Sequence, residues 1–208
     1  NGQYTVSSAY DAITRRKNWL EGNGRDKGET SWEGGSGKDW KQLWKMKIKH
    51  KQKLFVWKIL NRALPCREVV HKRTGKGDLI CKRCGENTET VEHIFFQCKQ
   101  AQMIWRMAPL QWDGLKEHTA DFSRWWSMLM EVQVRKEGRE HINLTVEILW
   151  QIWKVRNEAE FEGKDRHPMQ VIRKAMKDWE EYQQSQQKQH QLSILETETA
   201  QDEEEWMG

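Results

Sequence analysis

The fold of this chain is decided by the stretch CKRCGENTETVEHIFFQC, which covers residues 81–98. Its pattern is C-x2-C-x8-H-x4-C, and the four patterned positions are Cys81, Cys84, His93 and Cys98. Three thiols and one imidazole at this spacing predict one tetrahedral zinc ion. Because four protein ligands leave no open position for water, the pattern favours a structural zinc ion over a catalytic one.

Two other interpretations of this stretch remain open. Its cysteines can be free and buried beside an unrelated surface histidine, or they can belong to a disulfide framework. Four cysteines in 208 residues are sparse for a disulfide scaffold. We also see no secretory signal, so we expect an intracellular protein, and the nucleus is a compatible compartment.

The residues around this stretch show further spaced motifs. The run WKQLWKMKIKHK at 40–51 leads into KLFVWKIL at 53–60 and ALP at 63–65, and Ala101 and Trp105 follow the last cysteine. Together they resemble the zinc-binding domain that follows the reverse transcriptase domain in plant LINE-type (non-LTR) retroelements.

This resemblance covers about residues 40–106 and implies a fragment of a longer polyprotein that binds one structural zinc ion. In the family, the ligands correspond to the cysteines and histidine of the quoted stretch. Two positions depart from the family pattern. His50 stands where proline is common, and Cys66 stands where threonine is common, so we do not expect Cys66 to be a ligand.

The composition predicts a globular, mostly α-helical protein without a membrane segment. Hydrophobic residues make up 37% of the chain and charged residues 32%, and thirteen tryptophans supply apolar area for a core. No apolar run approaches the roughly 20 residues of a membrane helix. Hydrophobic positions recur with a helical period, without strand-like alternation. We predict a small helical domain around a C-C-H-C zinc knuckle, followed by a helical C-terminal region.

Composition further divides the chain into five predicted segments. These are an N-terminal helix that ends a preceding domain at 1–20, a glycine-rich linker at 21–39, the zinc-binding domain at 40–108, a tryptophan-rich helical region at 109–195, and an acidic, disordered tail at 196–208.

Positive charge is concentrated just before the knuckle. Between Trp40 and Lys76, twelve basic residues face one acidic residue, a net charge of +11, whereas the whole chain carries +4. Such a basic surface is typical of proteins that bind phosphate backbones, and lysine favours backbone contact over base recognition. We predict that RNA or DNA is contacted by Lys49, Lys51, Lys58, Arg62, Lys72 and Arg73.

Two functions from different classes remain open. The resemblance implies an accessory module of a retroelement reverse transcriptase polyprotein, and the charge predicts contact with a nucleic acid backbone. The alternative is a structural or protein-interaction module that docks on the reverse transcriptase or RNase H domain and has no nucleic-acid affinity. An enzyme is not expected, because the chain lacks the paired aspartates of a polymerase and the strand-borne acidic cluster of an RNase H.

Overall fold

A computed structural model describes residues 42–110, 115–131 and 138–206. The described residues belong to one structural unit. The predicted N-terminal helix at 1–20 and the glycine-rich linker at 21–39 lie outside them.

Helices account for nearly all regular structure in the described residues. They are a short helix at 42–45, α1 (His50–Leu60), α2 (Arg67–Thr74), a π-helix (His93–Gln97), α3 (Lys99–Met107), a 3-10 helix (Lys116–His118), α4 (Phe122–Glu131), α5 (Gly138–Phe161) and α6 (Pro168–Trp206). Across this described part of the chain, β pairing is limited to one antiparallel bridge between Ile80 and Thr88. The predicted mostly α-helical fold is confirmed.

Local sequence explains where several helices begin and end. At the start of α1, the Lys49 N–H donates to the Gln52 side chain over 3.2 Å and so satisfies a free amide at the helix end. Helix α2 ends at Gly75, whose φ of 67° is left-handed and suits a residue without a side chain. Helix α6 begins at Pro168, whose ring is compatible with a first helical turn.

One hydrophobic core joins the zinc-binding segment to the C-terminal helices. Phe55 of α1 packs edge-on against Phe95 of the π-helix and against Trp150 of α5, with ring centroids 5.8 and 5.1 Å apart. Trp126 of α4 is fully buried in the same cluster, which also includes Ala175 of α6. The core therefore extends across residue 108, where the sequence predicted a domain boundary.

Helices α5 and α6 are joined by a short connection in which Gly163 takes a left-handed φ of 65°. The first part of α6 packs on the core, whereas residues 184–194 are exposed. The helix then continues to Trp206, past residue 195, after which the sequence predicted disorder. No helix in the described ranges combines the length and the apolar character that crossing a membrane requires.

Candidate metal centre

The four predicted ligands come from two local structures. Cys81 and Cys84 lie on a turn that is closed by the Gly85 N–H, which donates to the Cys81 carbonyl over 2.8 Å. Gly85 has a φ of 69°, a left-handed conformation that glycine adopts without strain. Two thiols separated by two residues therefore face one point from this turn.

The second ligand pair is positioned by the π-helix. Its closing bond runs from the Cys98 N–H to the His93 carbonyl over 2.7 Å, which is the five-residue spacing of a π turn. In an α-helix, residues five apart point about 140° away from each other. The wider π turn reduces this angle and brings His93 and Cys98 to the same side. The x4 spacing between histidine and cysteine thus corresponds to one π turn.

The four side chains converge on one site. Their ligand atoms all lie within 4.8 Å of one another, and Cys84 Sγ is 3.3 Å from His93 Nε2. A tetrahedral zinc ion with usual bond lengths places its ligand atoms about 3.5–3.8 Å apart. The residues therefore fit one zinc ion, which would join the turn at Cys81 to the π-helix. Cys81, His93 and Cys98 are buried, as expected for a structural site.

The pKa values of two clustered thiols, Cys81 and Cys98, are shifted in opposite directions. Cys81 donates a hydrogen bond to Cys98, and together with burial this raises the pKa of Cys81 to about 12. The same bond lowers the pKa of Cys98 to about 7, helped by the backbone amides of Gln100 and Ala101 at the start of α3.

Cations beside the ligands connect the knuckle to the end of α5. Lys82 Nζ donates to the Glu160 carbonyl over 3.0 Å, and Arg83 lies 3.0 Å from the Asp165 carboxylate. Arg67 binds the Glu160 carboxylate through two bonds of 2.9 and 3.0 Å. Burial raises the pKa of Glu160, but the bond and charge of Arg67 outweigh it and lower the pKa overall.

A buried ion pair lies beneath these contacts. Glu89 is 1% exposed and Arg156 of α5 is 5% exposed, and Arg156 Nε donates to Glu89 Oε2 over 3.1 Å. The Arg67 amide also donates to Glu89, over 2.9 Å. Sequence analysis missed this pair, although a lone arginine in the apolar run of α5 is the signal that could have indicated it.

The six predicted nucleic-acid residues have different environments. Five are exposed: Lys51, Lys58, Arg62, Lys72 and Arg73. Lys49 is instead held internally, where its Nζ donates to the Asp178 carbonyl over 2.9 Å and lies 3.6 Å from the buried Glu147 carboxylate.

Among the five exposed residues, two have close partners. Lys72 pairs with Glu68 one turn away over 2.6 Å, and the Lys51 ammonium lies 5.8 Å from the Trp150 ring centroid. The exposed basic residues occupy α1 and the residues after it, together with α2.

Comparison with known proteins identifies this site. Residues 4–105 match the family model described as zinc-binding in reverse transcriptase, and the match includes all four clustered ligands. The chain carries a reverse transcriptase zinc-binding domain. The matched region starts at Tyr4, so it includes most of the predicted N-terminal helix and all of the linker as well as the knuckle.

A relative adds a weaker likeness. A ribonuclease H protein of Arabidopsis thaliana is 29% identical over 68 residues, which are 32% of this chain and 11% of the relative. The match thus spans about a tenth of that relative's length. No solved structure matches the chain.

Proposed function

We propose that this zinc-binding domain is a non-catalytic accessory module of a retroelement reverse transcriptase polyprotein and that it holds the backbone of RNA or DNA. The observation that carries the proposal is the net charge of +11 between Trp40 and Lys76, directly before the knuckle. Lys58 and Arg62 are exposed there, and neither pairs with an acidic residue in the described part of the chain. Free cations of this kind release counterions from a bound polyphosphate.

In this proposal the zinc ion has a structural role. Cys81, Cys84, His93 and Cys98 would hold it and fill its coordination sphere, so no position remains for a water or substrate. Bound zinc would link the turn at Cys81, which adds no residue to the main core, to the π-helix, whose Ile94 and Phe95 are buried in that core. It would thereby help to hold the knuckle against α2, where Lys72 and Arg73 are exposed.

A second function is favoured by a different observation. Val70, Ile80 and Phe161 are exposed apolar residues in the elements around the knuckle, and Phe161 is 78% exposed. Arg67 brings two of their segments together, because it bonds both the Ile80 carbonyl and the Glu160 carboxylate. Apolar side chains with charged neighbours suit a docking surface for the reverse transcriptase or RNase H domain of the same polyprotein.

Fluorescence anisotropy across a salt series separates the two functions. The zinc-loaded chain is titrated against labelled single-stranded RNA, single-stranded DNA and duplex DNA. A triple variant with Lys51→Gln, Lys58→Gln and Arg62→Gln should bind more weakly. Its log–log salt slope should fall by about 0.7 per lost contact on single strands and about 0.9 on duplex DNA.

The matched control removes the same charge elsewhere, through Lys164→Gln, Arg173→Gln and Lys177→Gln, and should change the slope little. These residues are exposed and lie on α6 or the connection before it. If the parent chain has no affinity for any of the nucleic acids near about 50 mM salt, where counterion release is favourable, nucleic-acid contact is rejected and docking remains.

A further inference from the structure

An open groove of about 1090 Å³ lies away from the knuckle, between the segment before α1, the first turns of α5 and the middle of α6. Three cations line it, Lys45, Lys47 and Arg139, with a single acidic residue, Glu140. This charge balance favours an anionic occupant. The open form of the groove suits a chain that passes through it better than a small enclosed ligand.

The opposite wall of the groove consists of side-chain amides. Helix α6 contributes Gln183, Gln186, Gln187 and Gln189. Each amide can both donate and accept hydrogen bonds, as the edges of unpaired bases do. Gln42 also lines the groove, and its buried Oε1 has no hydrogen-bond partner among the residues that the structure describes. A buried acceptor of this kind costs free energy unless a donor meets it, so a donor group of a ligand in the groove would be favoured here.

The groove is preformed because its walls are bonded to each other. The Asn143 side chain donates to the Lys47 carbonyl over 3.4 Å and so joins α5 to the segment before α1. Lys49 donates to the Asp178 carbonyl of α6 and lies 5.7 Å from the Tyr182 ring centroid. Binding therefore needs little ordering of the protein, which reduces its entropic cost.

A stripe on α5 connects this groove to the basic surface of α1. Arg139, Asn143, Trp150 and Lys154 follow one another at spacings of 4, 7 and 4 residues, so they share one helix face. Along that face they span about 22 Å at 1.5 Å per residue. The Lys51 ammonium lies over the Trp150 ring, which places the exposed side of α1 next to the same stripe.

We infer that the groove is a binding site for single-stranded nucleic acid. Lys45, Lys47 and Arg139 hold phosphates, while the amides of α6 contact base edges and sugar hydroxyls. Duplex nucleic acid is disfavoured, because its Watson–Crick edges are already paired and are not available to the amide wall. This inference rests on the proposed function, which it deepens by naming a strand form and a second contact surface.

The test uses the full zinc-loaded chain and a fluorescein-labelled 12-nucleotide oligouridine. Replacing Lys45, Lys47 and Arg139 with glutamine should raise Kd at least about tenfold and reduce the salt slope by about 2, since each single-strand contact contributes about 0.7. Changing Gln186→Ala and Gln187→Ala should weaken binding without altering the slope, because amides release no counterions. The Lys164, Arg173 and Lys177 glutamine variant is the charge-matched control.

The outcomes separate this inference from the proposed function. If the groove variants bind like the parent chain while the Lys51, Lys58 and Arg62 variant binds weakly, the groove is rejected and the proposed function stands. If the parent chain does not bind the oligouridine, the groove inference is rejected, and the proposed function is rejected with it only if single-stranded DNA and duplex DNA are not bound either. Photocross-linking with a 4-thiouridine oligonucleotide needs no variant. Cross-links at Tyr182 or Met46 support the groove, and cross-links confined to α1 and α2 overturn it.

Discussion

The zinc knuckle at 81–98 and the hairpin of α5 and α6 are stabilised by different physical effects. In the described chain, Cys81, Cys98 and Ala101 form a small buried cluster separate from the main core, while Ile94 and Phe95 of the π-helix belong to the main core. Helix α5 instead buries side chains on nearly every face along its length. The comparison teaches that the turn with Cys81 and Cys84, which adds no residue to the main core, would depend on a bound metal ion for stability more than α5 does.

The two regions nevertheless meet at a charged junction. Glu89 and Arg156 are buried together where the knuckle contacts α5, and Arg67 bridges Glu89 to Glu160. Separating the buried Glu89 carboxylate from the Arg156 guanidinium costs free energy, because either group alone would be an unpaired charge in an apolar environment. The junction therefore couples a metal-dependent region to an apolar one.

The largest effect is expected on removing a ligand. Cys98→Ser should abolish zinc binding and reduce the free energy of unfolding by more than about 4 kcal/mol, because binding of a structural zinc ion is part of the folding free energy. Metal analysis of protein purified under reducing conditions and thermal unfolding measure both changes. Cys66→Ala is the control, since Cys66 is a buried thiol outside the cluster and its loss should leave one zinc ion per chain. Full zinc occupancy in Cys98→Ser would contradict the assignment.

Removing a buried side chain from the main core should lower the free energy of unfolding by less than removing a ligand does, and zinc should stay bound. Trp126 is fully buried, so Trp126→Ala should lower the free energy of unfolding by about 3–5 kcal/mol while zinc stoichiometry stays at one. Urea titration and metal analysis test the two statements. Phe161→Ala is the control for loss of an exposed ring and should stay within about 0.5 kcal/mol. Zinc loss in Trp126→Ala would mean that the knuckle depends on the core.

Substitutions of Arg156 and Glu89 at the junction should have non-additive effects on the free energy of unfolding. Arg156→Met leaves Glu89 buried without its guanidinium and should cost about 3 kcal/mol. Adding Glu89→Gln removes the stranded charge and should recover more than half of that loss. A double-mutant cycle by urea unfolding measures this coupling. Strict additivity of the two substitutions would show that the ion pair does not link the knuckle to α5.

The smallest effect distinguishes a structural lysine from a surface lysine. Lys49→Gln removes a cation from the buried Glu147 and should cost about 1–2 kcal/mol, with the nucleic-acid salt slope unchanged. Lys58→Gln should show the opposite pattern, with stability within about 0.5 kcal/mol and a slope lower by about 0.7. Chemical denaturation and anisotropy are measured on both variants. A reduced slope with intact stability in Lys49→Gln would place Lys49 on the binding surface.

Much of the metal site was predictable because its information is local. Cys81, Cys84, His93 and Cys98 fall within eighteen residues, and the spacing of such ligands is limited by the turns that present them. The helical character of α1 and α5 was predictable for a similar reason, since hydrophobic period follows from the geometry of a single helix. The family match and the clustered ligand atoms agree with these local patterns.

The net charge of the basic stretch was predictable from the sequence, but the surroundings of its individual residues were not. Counting residues located the basic stretch, but it did not distinguish Lys49, which bonds to Asp178 from the far end of the chain, from Lys58, which remains exposed. The glutamines of α6 were visible as a composition bias, yet their partners across the groove were not. A side chain's environment depends on elements that can be more than a hundred residues away.

The sequence by itself thus determined the candidate ligand set, the helical class and the concentration of positive charge. The tertiary structure alone decided that one core crosses residue 108, that Glu89 meets Arg156 and that α6 faces the segment before α1. The physical reason is the range of the interactions. Ligand spacing and helical period are set within a few turns of chain, whereas core packing and buried ion pairs depend on which distant surfaces come together.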